Sequence, residues 1–155
     1  MKNRAVLCAL VCAMLVSTVA AVFAEPVLKK GQTVYVPAYP HVFMGPRGTV
    51  FDLSVTLMVR NTDFRSPVTV TSIDYYDTNG RLTRRHLEKP LVLGPMASTH
   101  VHITEKDTSG GIGANFVVRW RAERDVNVPL IETVMIGGKS GQGISFVSPG
   151  VEIAE

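Results

Sequence analysis

From Phe51 to Arg60 apolar and polar residues alternate. Phe51, Leu53, Val55, Leu57 and Val59 share one face, while Asp52, Ser54, Thr56, Met58 and Arg60 share the other. A period of two is that of a β-strand packed against a core on one side. Val68 and Val70 open a further strand in one phase, and Ile73 and Tyr75 continue it in the other, so the pattern slips near Ser72. An inserted residue, or a change of sheet, explains such a slip. Asp77-Thr78-Asn79-Gly80 supplies residues that tolerate positive φ, which predicts a hairpin over Tyr75 to Leu87. Its returning strand carries Arg81, Arg84, Arg85 and His86, charges of the kind that guard a sheet edge.

The same reading places short strands at Thr33 to Val36, Leu91 to Leu93, Thr99 to Thr104, Phe116 to Ala122, Ile131 to Ile136 and Ile144 to Val147. Trp120 points inward with Phe116 and Val118 as a core anchor. Ile131 to Ile136 is apolar on both parities except Glu132 and Thr133, the pattern of a central strand covered on both sides. No amphipathic helical repeat of useful length follows residue 24. Eight or nine strands with closely spaced turns predict an all-β domain, a single antiparallel β-sandwich of immunoglobulin-like kind.

Ahead of this pattern Lys2 and Arg4 lead into an apolar run from Ala5 that closes at Val22-Phe23-Ala24, the layout of a signal peptide. The expected organisation is a signal peptide over 1–24 and a β-sandwich over 25–155, in the periplasm or secreted. A membrane enters only if the segment stays uncleaved as an anchor. Of the 155 residues, removing 24 leaves 131, enough for one core without disulfide or metal. Cys8 and Cys12, the two cysteines, leave with the signal, so no thiol nucleophile remains. The net charge of +3 falls to +1 without Lys2 and Arg4. The remaining basic residues are scattered, which argues against a nucleic-acid partner.

Candidate chemistry is sparse. Asp107 to Asn115 contains Gly110, Gly111 and Gly113, either a nest of amides for an anion or partner, or a wide connection whose glycines solve backbone geometry. His100 and His102 lie on one strand face about 7 Å apart, a spacing that can share a metal if a third ligand such as His41, His86, Glu105 or Asp107 approaches. Met44, Met58 and Met96 add thioethers that suit copper. Glu132 either faces water or pairs with Arg119 or Arg121. Asp74 and Asp77 can be drawn as an acid/base pair, yet beside a turn they read as turn and cap residues. No nucleophile has an evident base, and no cofactor is implied.

Several stretches resemble a family of exported bacterial proteins, domain of unknown function 3124. They are Val34-Tyr35-Val36-Pro37-Ala38-Tyr39 with His41, Arg60-Asn61-Thr62-Asp63, Asp74-Tyr75-Tyr76-Asp77, Gly110-Gly111 with Gly113-Ala114-Asn115-Phe116, Glu132 with Val134-Met135-Ile136-Gly137, and Gly141-Gln142-Gly143-Ile144-Ser145-Phe146. The resemblance implies an exported single domain and brings no known activity. It draws attention to polar and glycine positions of which folding asks little: His41, Asn61, Asp63, Tyr76, Gly111, Asn115 and Glu132. His100 and His102 fall outside the matching stretches, and Pro40 departs from the small polar residue expected before His41.

The expected function is a non-enzymatic domain that binds a protein or cell-envelope component through the glycine-rich loop and the hairpin bearing Tyr75 and Tyr76. Bulkier residues at Gly111 and Asn115 would then abolish capture without unfolding the domain. The alternatives are a copper- or zinc-binding protein using His100 and His102, and a hydrolase using Asp74, Asp77 or Glu132.

Overall fold

A computed structural model describes residues 26–139 and 141–154. The expected signal peptide over 1–24 lies outside the described residues. Twelve strands and no helix are found among them: β1 (Leu28–Pro37), β2 (His41–Met44), β3 (Thr49–Asp52), β4 (Ser54–Arg60), β5 (Val68–Tyr76), β6 (Leu82–Arg85), β7 (Leu91–Leu93), β8 (Ser98–Ile103), β9 (Asn115–Asn127), β10 (Leu130–Lys139), β11 (Gln142–Pro149) and β12 (Val151–Ile153). One sheet has the order β12-β1-β9-β5-β6, with β7 also on β5; the other is β11-β10-β4-β8, and β2 and β3 form a separate ribbon. Every pairing is antiparallel. The fold is a β-sandwich without disulfides among the described residues.

The alternation is what builds the interior. Phe51, Leu53, Val55, Leu57 and Val59 are all buried, although the strand is interrupted at Leu53, so that Phe51 belongs to the ribbon and Val55, Leu57 and Val59 to β4. Across the larger sheet the register sets Val36, Phe116 and Tyr75 in one row and Val34, Val118 and Ile73 in the next. Trp120 follows beside Val70, its indole Nε1–H donating to Gln32 Oε1 at 3.2 Å.

The slip expected near Ser72 is a bulge. Val70 pairs with Trp120 and Ser72 with Arg119, leaving Thr71 as the extra residue. The bulge returns Ile73 and Tyr75 to the side already taken by Val68 and Val70, so all four are buried. The strand count exceeds eight or nine because alternation alone does not mark the ribbon and β12 as separate elements. One expectation is corrected: β10 is central in its sheet but covered on one side only, with Ile136 55% exposed on the outer face.

Two features close one side of the sandwich. The Thr133 hydroxyl donates to the Pro37 carbonyl across the sheets at 2.6 Å. At Gly150 the chain leaves β11 and enters β12 on the opposite sheet, and the Gly150 N–H donates to the Ile131 carbonyl at 2.8 Å. A Cβ at Gly150 would lie 2.6 Å from Val34 Cγ1 and 2.8 Å from Ile131 O, so the crossing needs a residue without a side chain. Gly150→Ala is therefore expected to destabilise the domain by roughly 1–3 kcal/mol through overpacking, measured as a lower urea midpoint at unchanged m-value.

Candidate functional site

The antiparallel order sends the sequence-selected residues to opposite ends of the sandwich. At one end lie the β2–β3 ribbon with His41, the β5–β6 turn, the 104–114 connection and the β10–β11 turn. At the other lie the connections 61–67, 94–97 and 128–129. Asn61 and Asp63 are thus far from the glycine-rich loop with which the sequence grouped them.

At the glycine-rich end the two expected contact loops do meet, and Thr78 joins them. Its N–H and its hydroxyl donate to the Gly110 carbonyl at 2.8 and 3.0 Å, and the Gly113 N–H donates back to the hydroxyl at 2.9 Å. Gly111 has a φ of 68°, and a Cβ there would stand 2.6 Å from Thr78 Oγ1. Gly111 N–H donates to the Thr108 carbonyl and Ala114 N–H to the Gly111 carbonyl, so these amides are committed inside the loop rather than turned to an anion. A bulky residue at Gly111 would strain the backbone and displace Thr78, so folding asks much of this position.

Beneath the loop, Tyr75 is fully buried and stacks on Phe116 at 4.8 Å, with His86 5.9 Å from Phe116 and 6.4 Å from Tyr75. Among the described residues the Tyr75 hydroxyl and His86 Nε2 are buried without a hydrogen-bond partner. Burial first, and the Asp107 charge second, push the Tyr75 hydroxyl up to about 12. Asp107 accepts from the Ser109 hydroxyl and N–H and pairs with Arg84 at 3.3 Å; the Ser109 hydroxyl does most to hold its carboxyl below the ordinary range. Tyr76 and Asn115 pair directly on the outer side of this sheet.

At the opposite end Asn61 is a hub. It is 2% exposed; its Nδ2 donates to the carbonyls of Ser66 and Gly94 at 2.9 Å each and of Leu93 at 3.3 Å, while Oδ1 accepts from Asp63 N–H at 3.0 Å. Asp63 accepts from the N–H groups of Arg65, Ser66 and Asn127 at 2.9, 2.8 and 3.1 Å. The Arg65 amide, then those of Asn127 and Ser66, hold its carboxyl below the usual value. Thr62 adds a bond to the Val128 carbonyl at 3.0 Å. Asn61 and Asp63 therefore have a folding role: together with Thr62 they tie the connections 61–67, 94–97 and 128–129 into one hydrogen-bonded surface.

That surface presents residues the sequence reading missed. Phe64 is 76% exposed between Asp63 and Arg65, and Met96 is 58% exposed. The Met96 N–H donates to the Asp63 carbonyl at 3.1 Å, which places Met96 beside the peptide leading into Phe64. Met96 has a φ of 58°, the only non-glycine residue with positive φ among those described. It follows Pro95 in a turn closed by Ala97 N–H to Gly94 carbonyl at 3.1 Å, the position where a type II turn favours glycine or asparagine. The available signals were an aromatic residue in an otherwise polar connection and a methionine where the turn calls for glycine.

The remaining candidates stay apart. His100 and His102 are exposed on the outer face of the smaller sheet, with His102 Nδ1 3.3 Å from the Thr56 hydroxyl. Glu132 shares that face, but Met58 stands between it and His100 in the register. Arg119 and Arg121 belong to the other sheet, so neither partners Glu132; Arg119 instead pairs with Asp74 at 2.9 Å. Among the described residues no three His, Cys, Asp or Glu side chains converge to hold a metal ion. Asp77 accepts from Asn79 and Arg81 N–H groups as a turn residue, at 2.8 and 2.9 Å.

Residues 31–153 match the profile of a family described as protein of unknown function (DUF3124). The chain belongs to this family. No curated protein matches it. A solved structure, "Crystal Structure of Thermotoga maritima 1070", is similar at a TM-score of 0.43 and 11% identity, over 77% of this chain and 92% of that one. A likeness at this level carries no argument. The family membership places the Asn61 hub, the glycine-rich loop and β11 within the matched region and supplies no activity.

The half-buried His86 imidazole makes the stability of the fold depend on pH. Burial, then the Arg84 charge, lowers the His86 pKa from 6.5, with Asp107 opposing. The unfolded chain thus binds the proton more tightly than the folded one. The stability owed to neutral His86 is complete above pH 6.5 and is lost as pH falls from there through the lower folded value. Urea midpoints measured from about pH 7.5 to about pH 5 should fall for the native protein, and His86→Phe should flatten that fall.

Proposed function

We propose that the protein is a non-enzymatic, exported binding domain that engages a protein or cell-envelope component through the end organised by Asn61. The observation that carries this reading is the exposure of Phe64 and Met96 on connections that Asn61 and Asp63 hold rigid. An exposed aromatic side chain on a preorganised loop loses little entropy on binding, and such side chains dominate interface energetics. Met96 adds to the case, because a backbone held in the left-handed region costs about 1 kcal/mol or more and glycine would remove that cost. Export rests on the layout of the first 24 residues, and no nucleic acid or cofactor enters the reading.

The glycine-rich end serves this function less well. Tyr75 is buried and the loop amides bond one another, which leaves Ile112, 38% exposed, as the apolar contribution of the glycine-rich loop itself; Phe43 and Val50, also exposed and apolar at that end, belong to the β2–β3 ribbon. The metal-binding alternative has two imidazoles on an open face and, among the described residues, no third ligand beside them. The hydrolase alternative would need Asp74 free, and Arg119 holds it.

A photo-crosslinking side chain at position 64 in cells should capture a discrete partner that a crosslinker at position 112 does not. Phe64→Ser should lose that partner with the fold unchanged. Met96→Gly should weaken capture while thermal stability stays equal or rises by up to about 1 kcal/mol, a separation that a purely structural role would not produce. Capture from position 112 alone would assign the contact to the glycine-rich end instead.

A further inference from the structure

The sandwich has exposed sheet edges, and most are guarded. The β6 edge carries Arg84 and Arg85, and all four of its residues are exposed. The β12 edge is three residues long and carries Glu152, which is ion-paired to Lys29. The β8 edge carries the exposed imidazoles of His100 and His102, with Glu105 and Lys106 following it after Thr104. Charge, short length and proline are the usual devices that stop an unpaired edge from joining another strand.

β11 lacks such a guard along most of its length. It is eight residues long, ends the smaller sheet, and pairs on one side only, with β10. No ionisable residue occurs between Lys139 and Glu152, and the proline comes last, at Pro149. The adjoining outer face is apolar as well: Val147 is 53% exposed and pairs with Val134, and Ile136 is 55% exposed and pairs with Ser145. On the inner side Ile144 and Phe146 are only partly covered, the Phe146 ring lying 5.8 Å from that of Tyr39.

We propose that β11 is a dimerisation edge, pairing antiparallel with β11 of a second copy of this chain about a two-fold axis at Ser145. The strand is complementary to itself in that register. Ile144 falls opposite Phe146 of the partner subunit, and Phe146 opposite Ile144 of the partner subunit, two aromatic–aliphatic cross-strand pairs on the inner side. Gly143 faces Val147 of the partner subunit and leaves it room, Gln142 faces Ser148 of the partner subunit, and Ser145 meets its own copy. No charge is opposed anywhere along the seven pairs. At β6 the same operation would bring arginines together, and at β8 imidazoles.

The contact is isologous and closed, so it consumes both free edges and stops at two copies. The two four-stranded sheets become one continuous sheet, and the Val134–Val147 strip runs on across the axis. The surface organised by Asn61 takes no part in the pairing, so the dimer stands independently of the binding function proposed above.

Sedimentation velocity and native mass spectrometry of the purified protein test the assignment. The native chain is expected to be a dimer that dissociates on dilution. Ser145→Lys places two like charges at the axis, and because Ser145 is exposed the variant should keep the native circular dichroism spectrum while the dimer is lost, with a melting temperature that no longer depends on protein concentration. Ser145→Glu should behave the same way, and mixing the two variants should restore a heterodimer. Hydrogen exchange should show amide protection over Gly143 to Val147 that rises with protein concentration. A native chain that stays monomeric at every soluble concentration overturns the proposal. So does a dimer undiminished in either variant, a mixture of the two that does not reassociate, or protection of β11 that appears only when another protein is added.

Discussion

Val36, Phe116 and Tyr75 lie side by side across three strands of the larger sheet, all at 0% exposure, and they share one buried core with Leu53 and with Val55 and Leu57 of the second sheet. Each such side chain contributes roughly 1.5–3 kcal/mol on burial, and among the described residues no disulfide or metal shares the task. The constraint behind this packing is parity: each strand must offer one side to the opposite sheet along its whole length. Thr71 shows how strict that is. Without the extra residue there, Ile73 and Tyr75 would point to the outer face, and the stack on Phe116 would not form.

A sandwich built this way leaves function to its ends and edges, and the two ends are made differently. At the glycine-rich end Thr78 draws two loops together over an aromatic cluster, and the Tyr75 hydroxyl and His86 Nε2 are enclosed without partners among the described residues. That arrangement closes the end and makes it sensitive to the protonation of His86. At the opposite end Asn61 and Asp63 spend their side-chain hydrogen bonds on backbone groups of the 61–67 connection, the Leu93–Gly94 turn and the end of β9, while the Phe64 and Met96 side chains stay exposed. Polar residues are internal there and apolar ones external, the reverse of what a merely solvated loop requires.

The edges repeat the contrast. β6 and β8 carry charged or ionisable side chains, and β12 is brief and ion-paired, so each resists further pairing. β11 has the composition of an interior strand although it ends its sheet. The exposed Ile136 and Val147 belong to the same account: an apolar outer strip beside an unguarded edge is consistent if a second sheet continues from it.

The local sequence determined the alternation, the bulge near Ser72, the Asp77 hairpin, the charged β6 edge and the inward Trp120, because each depends on near neighbours in the chain and on the fixed period of a strand. The family was legible too, since its motifs are short and contiguous. Tertiary structure decided the rest. Whether Asn61 and Asp63 face a partner or hold the fold depends on carbonyls and amides contributed by residues up to 64 positions away. Whether Gly111 is a nest or a turn depends on Thr78, and whether Ile136 is covered depends on which sheet lies over it. An apolar residue on both parities of a strand states that burial is favourable without saying what supplies it. That answer lies in the packing of segments remote in sequence, and at β11 in the packing of a second chain.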